Sequence, residues 1–389
     1  MSQRPSIAQA KTKRARGRVR VVVLTVVVVA VLGVLIAVAV RTRPAGTSAR
    51  RAARVPTMRI VPLSPVEYTN KTVNLQDVSA INPRDGWAVG STVGKDHHRG
   101  GGVLLSTQDG GVTWKAQEMA SVDSLNAIAF ANANDGWVVG FTQRNTVVLA
   151  TTDGGARWLK EYVGGPDLLT DVDCVDVDHG WVASSAVGFA SGYVLATTNG
   201  GVSWNRRPVP GAGGLIAVCF ADSKRGWVVG NNDVYASSDG GATWKLQYHA
   251  TGTMQIGDIA FANAKDGWVV TADDVTGVST ILASTDGGVH WTAQYSRPNP
   301  GFGGLIAIDA VDARHAWAVG NNGVILATSN GGLSWKHQKS TTTAELDSVA
   351  FCDRRYGWAV GEYDDLNGNF VSGTILVTRD GGATWTRQN

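Results

Sequence analysis

The stretch LASTDGGVHW, residues 282–291, decides the fold, because the chain repeats it seven times. The other copies are LSTQDGGVTW (105–114), LATTDGGARW (149–158), LATTNGGVSW (195–204), YASSDGGATW (235–244), LATSNGGLSW (326–335) and LVTRDGGATW (376–385). Each runs from an apolar strand end through a Ser or Thr to an Asp or Asn, a Gly-Gly pair and a closing Trp. An Asx side chain at a turn accepts bonds from nearby backbone N–H groups. The glycines supply the positive φ that other residues resist. The closing ring can lie between sheets, where full burial is worth at most about 4–6 kcal/mol. Asn stands for Asp in two copies, so the geometry matters and the charge does not. The series Asp109, Asp153, Asn199, Asp239, Asp286, Asn330 and Asp380 therefore reads as structural, since a catalytic carboxylate has no reason to recur seven times.

The fourteen tryptophans divide into two sets of seven. One set closes the boxes. The other, Trp87, Trp137, Trp181, Trp227, Trp268, Trp317 and Trp358, follows a Gly (once an Ala) at the start of a strand. The repeat length, about 45 residues, is that of propeller blades. In the second unit LNAIAF, WVVGF, TVVLAT and ARWLKEYV predict four short strands joined by Gly/Asn/Asp turns. A lone four-stranded sheet cannot bury both faces, whereas seven packed radially can. The expected fold is all-β: a seven-bladed β-propeller of four-stranded antiparallel blades over 70–389, preceded by one transmembrane helix.

The net charge of +3 conceals two unlike parts. Residues 1–54 hold twelve of the 35 Lys/Arg and none of the 32 acids, leaving 23 cations against 32 anions in 55–389, a balance of −9. An acidic globule argues against nucleic acid as a partner. Residues 19–40 contain one charge, Arg20, and then an apolar run of about twenty, long enough to span a bilayer. Ala37-Val38-Ala39 resembles a signal-peptidase site, but the run exceeds the 7–15 apolar residues of a cleaved signal. We read 1–18 as a basic cytoplasmic tail, 19–40 as a signal anchor and 41–69 as a proline-containing linker, with an extra strand near its end. The propeller is expected outside the cytoplasmic membrane, with the N-terminus inside. Cys174, Cys219 and Cys352 lie far apart and read as small buried hydrophobes.

The motif [ST]-x-[DN]-x-G-x-x-W resembles the Asp-box, or BNR, repeat of sialidases and sortilin-type receptors. Joined to a DGWxVG-like strand in each unit, it resembles most the photosystem II assembly and stability factor family, over residues 75–385. The resemblance implies a non-enzymatic seven-bladed propeller that chaperones membrane subunits on the extracytoplasmic side of the thylakoid, through a surface associated with an arginine-rich patch. The close arginine pairs here are Arg206-Arg207 and Arg354-Arg355.

Strand order places the box turns and the turns before the second strands at one end of each blade. The second-to-third loops lie at the other. From second-strand Trp to box Trp the interval is 27, 21, 23, 17, 23, 18 and 27 residues, so the longest loops fall in blades one and seven, neighbours in a closed ring. Loops on a rigid scaffold are where binding concentrates. The expected partner site is composite, with Asp96, His97, His98 and Arg99 facing Glu362, Tyr363, Asp364 and Asp365. The run Asp365, Asn367, Asn369 imitates part of a calcium loop, but Leu376 stands where a bidentate Glu belongs, so no metal is expected. No cofactor is expected either: no glycine-rich loop leads from a strand into a helix.

The leading functional reading is a membrane-anchored, extracytoplasmic scaffold for a protein partner, a membrane protein being one candidate. The alternatives are a sialidase-type glycosidase and a sortilin-like receptor. Sialidases need three carboxylate-binding arginines, the first in an RIP-like motif. Here MRIVPLS (58–64) offers Arg59 with an inserted valine, ahead of the first blade.

Overall fold

The computed structural model describes residues 14–15, 17–18, 60–61, 64–66, 73–93, 99–186, 191–230, 232–273, 275–298, 304–364 and 370–388. They form a closed ring of seven antiparallel sheets. Each is built in chain order from the ring axis outward, as in blade 2: Ser124–Phe130, Gly136–Phe141, Thr146–Thr151 and Trp158–Val163. The three inner strands are largely buried because neighbouring blades cover both their faces. Outer strands such as Asn205–Pro208 are mostly exposed. The hydrophobic core is accordingly seven clusters, each filled from two adjacent blades.

In blades 1, 2, 6 and 7 the last glycine of the GWxVG strand sits opposite a bulge, where blades 3 and 5 carry Ser184 and Thr271. In six blades the pairing of the innermost strand with the second slips by one residue, as between Leu75 and Asp77 or Leu346 and Ser348. The strand bends there and its twist increases. A Cβ on Gly90 or Gly361 would then lie 1.8 or 2.0 Å from the carbonyl oxygen of Asn74 or Glu345.

Aromatic rings zip the seams. The second-strand Trp of one blade stacks on a Phe of the next blade's innermost strand, and that Phe meets the next blade's box Trp edge-on. Trp181, Phe220 and Trp244 do so with centroids 3.7 and 6.0 Å apart. Trp87, Trp227 and Trp317 repeat the arrangement. In these four seams the indole N–H donates to the carbonyl of the next box's first glycine, for example Trp181 Nε1 to Gly240 at 2.7 Å. Where Cys174, Ala310 or Ala80 replaces the Phe, the indole turns elsewhere: Trp137 to Glu161 (3.0 Å) and Trp268 to Gln294 (3.1 Å). Trp358 has no acceptor among the described residues.

Buried carboxylates add a second belt nearer the axis. Asp77, Asp171 and Asp258 sit at one register in blades 1, 3 and 5, where blades 2, 4 and 6 have Ala127, Ala217 and Ala307. Each accepts an N–H from the next blade's innermost strand, from Ile128, Val218 and Ile308 at 2.8–2.9 Å. Asp171 also accepts from Val172 in its own strand, which relieves blade 2 of that task. Blade 7 has Ser348 at this register, and its hydroxyl donates to Asp77 at 2.6 Å.

The extra strand expected near the end of 41–69 is two short ones. Part of the segment read as linker belongs to the sheets: Ile60–Val61 pairs with the outer strand of blade 2, and Ser64–Val66 with Lys115–Met119 of blade 1, making both five-stranded. Prolines are tolerated on such edges. The ring also closes without sharing a strand, since Glu345–Phe351, Gly357–Asp364, Phe370–Thr378 and Thr386–Arg387 complete blade 7 by themselves. The expected anchor, 19–40, lies outside the described residues, among which no helix is long and apolar enough to cross a membrane. The three cysteines are buried and unbridged.

Candidate functional site

The two ends of the ring differ in what they leave available. At the box end every Asx side chain folds onto its own turn. Asp239 Oδ1 accepts from Ser237 Oγ (2.8 Å) and Thr243 N (2.9 Å), and Oδ2 from Thr243 Oγ1 (2.6 Å). In the two Asn boxes the amide takes over, donating from Asn199 to Ser203 Oγ and from Asn330 to Ser334 Oγ. The Thr243 hydroxyl and then its N–H hold the Asp239 carboxyl at a pKa of about 2. Asp109 is held at about 2 by Thr113 in the same way, and Asp286 at about 2 by His290 N–H and then its ring. A cleft of about 380 Å³ between boxes 1 and 2 is bordered by Asp109 and Asp153, whose oxygens are already engaged in their own turns.

The turns before the second strands are sealed too. The first box glycine donates to the third turn residue in all seven blades, as Gly110 N does to Arg84 O at 3.0 Å. First and fourth turn residues are complementary. Asn82, Asn132 and Asn263 face Asp85, Asp135 and Asp266, while Asp176, Asp222 and Asp312 face His179, Arg225 and His315. Of the arginine pairs, Arg206 lies 3.6 Å over the Tyr193 ring and Arg207 donates to Gly240 O at 2.6 Å, while Arg355 lies over Tyr356.

The opposite end carries the variable hairpins. Blades 1 and 7 have the longest, Gly86–Val93 with Arg99–Thr107 and Gly357–Asp364 with Phe370–Thr378. They stand side by side: the Asn74 amide of blade 1 donates to the Glu362 carboxylate of blade 7, and a Cβ on Gly373 would meet Val73 O at 2.4 Å. Arg99 pairs with Val93, and Tyr363 and Asp364 with Ser372 and Phe370, so the backbone carries these positions toward the two tips. Asp96, His97, His98 and Asp365, with the calcium-like Asn367 and Asn369, lie outside the described residues, as does Arg59. Glu362 is thus the candidate whose side chain is placed at the seam. Among the described residues no three His, Cys, Asp or Glu side chains converge as metal ligands.

Sequence reasoning missed a set of seam latches. The third residue after each box Trp (Gln117, Glu161, Arg207, Gln247, Gln294, Gln338, Gln388) lies beside the next blade's box. Gln294 Nε2 donates to Gly331 O at 2.8 Å while its Oε1 accepts from Trp268, and Gln338 does the same between Gly381 O and Trp385. The signal was a W-x-x-[Q/E/R] period.

Ring, sealed box end and two raised hairpins define a rigid propeller scaffold with a variable face. The chain matches the family described as photosynthesis system II assembly factor YCF48 over residues 56–163 and 249–337, just over half its length, and belongs to that family. The photosystem II assembly protein Ycf48 of Synechococcus sp. (strain JA-3-3Ab) is 33% identical over 87 residues, 21% of this chain and 23% of that protein, so the match spans about a quarter of this relative. Two solved structures, YCF48 bound to D1 peptide and YCF48 from Cyanidioschyzon merolae, share the fold at 18% identity and a TM-score of 0.57. Each covers 82% of this chain, and 96% and 98% of theirs. The GH74 xyloglucanase of Xanthomonas campestris shares it at 13% identity and a TM-score of 0.59, over 85% of this chain and 56% of the enzyme.

Proposed function

We propose that the chain is a non-enzymatic scaffold, tethered by residues 19–40 with its propeller outside the cytoplasmic membrane, that holds a protein partner during assembly of a membrane complex. The observation that carries this reading is membership of the YCF48 assembly-factor family. A solved relative of like fold is bound to D1 peptide, which supports a peptide or protein as the ligand class. The paired hairpins of blades 1 and 7 are the proposed grip, with residues 96–99 on one side and 362–365 on the other. The test is affinity capture from detergent-solubilised membranes, comparing the full chain with forms lacking 94–98 or 365–369. Loss of one captured membrane protein in both deletions is expected; unchanged capture would refute the grip. Protease protection in sealed vesicles tests the topology. The likeness to a GH74 enzyme gives the rival reading, and turnover of xyloglucan would replace the scaffold with a hydrolase.

A further inference from the structure

In every box the residue after the glycine pair is apolar, and in all seven blades it is exposed. Turns in water ordinarily favour polar side chains at such positions. Leu333, at 87%, is the most exposed large apolar side chain among the described residues, and Val289 stands at 57%. A lone surface apolar residue needs no explanation, but a set that recurs around one end of a ring marks an interaction face.

In blades 4 to 7 a cation joins each tip. The third residue of the turn before the second strand is Lys224, Lys265, Arg314 or Arg355, each exposed; blade 1 has Arg84 there, and blades 2 and 3 have Asn134 and Asp178. The first box glycine donates to the carbonyl of that cation at 2.7–3.0 Å in blades 4 to 7, so cation and tip sit on two turns bonded together. The carboxylates of the same turns are engaged locally. Asp222 pairs with Arg225, Asp266 accepts from Asn263, Asp312 pairs with His315, and Asp353 accepts the N–H groups of Arg355 and Tyr356. By contrast, no bond among the described residues ties the side chains of Lys224, Lys265 or Arg314.

Apolar tips set among cations suit the headgroup layer of an anionic bilayer, where the cations meet lipid phosphates and the tips reach the acyl boundary. The chain itself favours that occupant over an acidic protein. Residues 1–59 precede the first strand laid on the ring and include the apolar run 19–40. Between that run and Ile60 stand Arg41, Arg43, Arg50, Arg51, Arg54 and Arg59, with no acid. The chain joins the ring close to its box end, since Val61 pairs with Trp158, the last residue of box 2. We propose that the box-end rim of blades 4 to 7 rests on an anionic lipid surface through Lys224, Lys265, Arg314 and Arg355, with Val289 and Leu333 as its apolar contacts. The hairpins of blades 1 and 7, at the other end, then face away from the bilayer. Delivery of the rim to a membrane rests on the proposed tether, residues 19–40; the contact itself does not.

The test uses the full chain reconstituted in vesicles of phosphatidylcholine, with or without phosphatidylglycerol, and a nitroxide on the lipid headgroup as quencher. The three native cysteines are buried and unbridged, so a bimane label goes to an introduced thiol. Leu333→Cys places it on the rim, and Val275→Cys places it on the blade 5 hairpin at the opposite end, where Val275 is 74% exposed. With phosphatidylglycerol present the 333 label should be quenched and the 275 label not. Each cation lost should weaken the contact about fivefold, so Lys265→Glu/Arg314→Glu/Arg355→Glu should abolish the difference at an unchanged melting temperature. Retention on the vesicles after an alkaline carbonate wash reports the tether separately. A retained chain quenched equally at 333 and 275, or quenched at 333 regardless of phosphatidylglycerol or of the triple change, overturns the rim and leaves the tether standing. A chain stripped by the wash but quenched at 333 beforehand keeps the rim and removes the tether.

Discussion

Asp77→Ala tests whether the ring is held by its buried carboxylates. Asp77 is 1% exposed, and the groups it accepts from, Ile128 N–H and Ser348 O–H, belong to blades 2 and 7, both residues being fully buried. One side chain thus joins three blades at the closure of the ring. Removing it strands two buried donors, each at about 1–3 kcal/mol, so the expected loss is roughly 4 kcal/mol. Shape does not account for the cost, because Ala127, Ala217 and Ala307 occupy the same register in the even blades. At about 2 °C per kcal/mol for a propeller this size, the melting temperature should fall by roughly 8 °C. Ser348→Ala in the same background removes one stranded donor and should recover about 1–2 kcal/mol in a double-mutant cycle. A fall under about 2 °C, or additivity within about 0.5 kcal/mol, would refute the argument and leave the seams to apolar packing alone.

Other consequences are accessible to the same melting assay. Asp109, Asp239 and Asp286 have folded pKa values of about 2 against about 3.9 in an unfolded chain, so their contribution is complete above pH ~4 and disappears as pH falls toward 2. Changing all three to Asn should lower the melting temperature at pH 7, where that contribution is full, and the two profiles should converge as the pH falls toward 2. Phe220→Ala removes the middle ring of the Trp181–Phe220–Trp244 stack and should cost about 3–5 kcal/mol, whereas Cys174→Ala, at the seam without a Phe, should cost less than half of that. Gly332 has φ 84°, and a Cβ there would lie 1.5 Å from Gln294 Oε1, so Gly332→Ala should displace the latch and cost over 2 kcal/mol. Adding Gln294→Ala should give back the steric part, read as sub-additivity.

The blades were legible because their marks recur with one chemistry: fourteen tryptophans and seven glycine corners. What recurs with mixed chemistry was not. Glu161, Arg207 and Gln294 share a reach toward the next box, and a reader matching residue types sees three unrelated surface positions. The alternation of Asp77, Asp171 and Asp258 with alanines has a period of two blades, near 90 residues, too long to emerge from a single-blade comparison. An extra strand near the end of 41–69 was legible, but not that two short strands would join two different blades; Pro62 and Pro65 fit there because an outer edge needs N–H groups on one side only. As for the candidate site, loop lengths located the two tall hairpins, but the tip positions lie outside the described residues.

The placement of those hairpins has an energetic meaning. The seam between blades 7 and 1 shares no strand, has Ala80 where four seams have a Phe, and leaves the Trp358 N–H without an acceptor among the described residues. Among the described residues its polar ties include Ser348 to Asp77, Asn74 to Glu362, and Arg379 Nη2 to Gly110 O at 2.9 Å. A partner that grips both hairpins binds only the closed ring and therefore stabilises it by RT ln(1 + [L]/Kd), about 2.7 kcal/mol at a hundredfold excess over Kd. Seam and grip are then linked: Asp77→Ala, at the ring closure and outside both tips, should weaken partner capture as well as lower the melting temperature. Captured partner should in turn restore part of the loss. If the variant melts lower but captures its partner at wild-type affinity, the hairpins work independently of ring closure and the coupling fails.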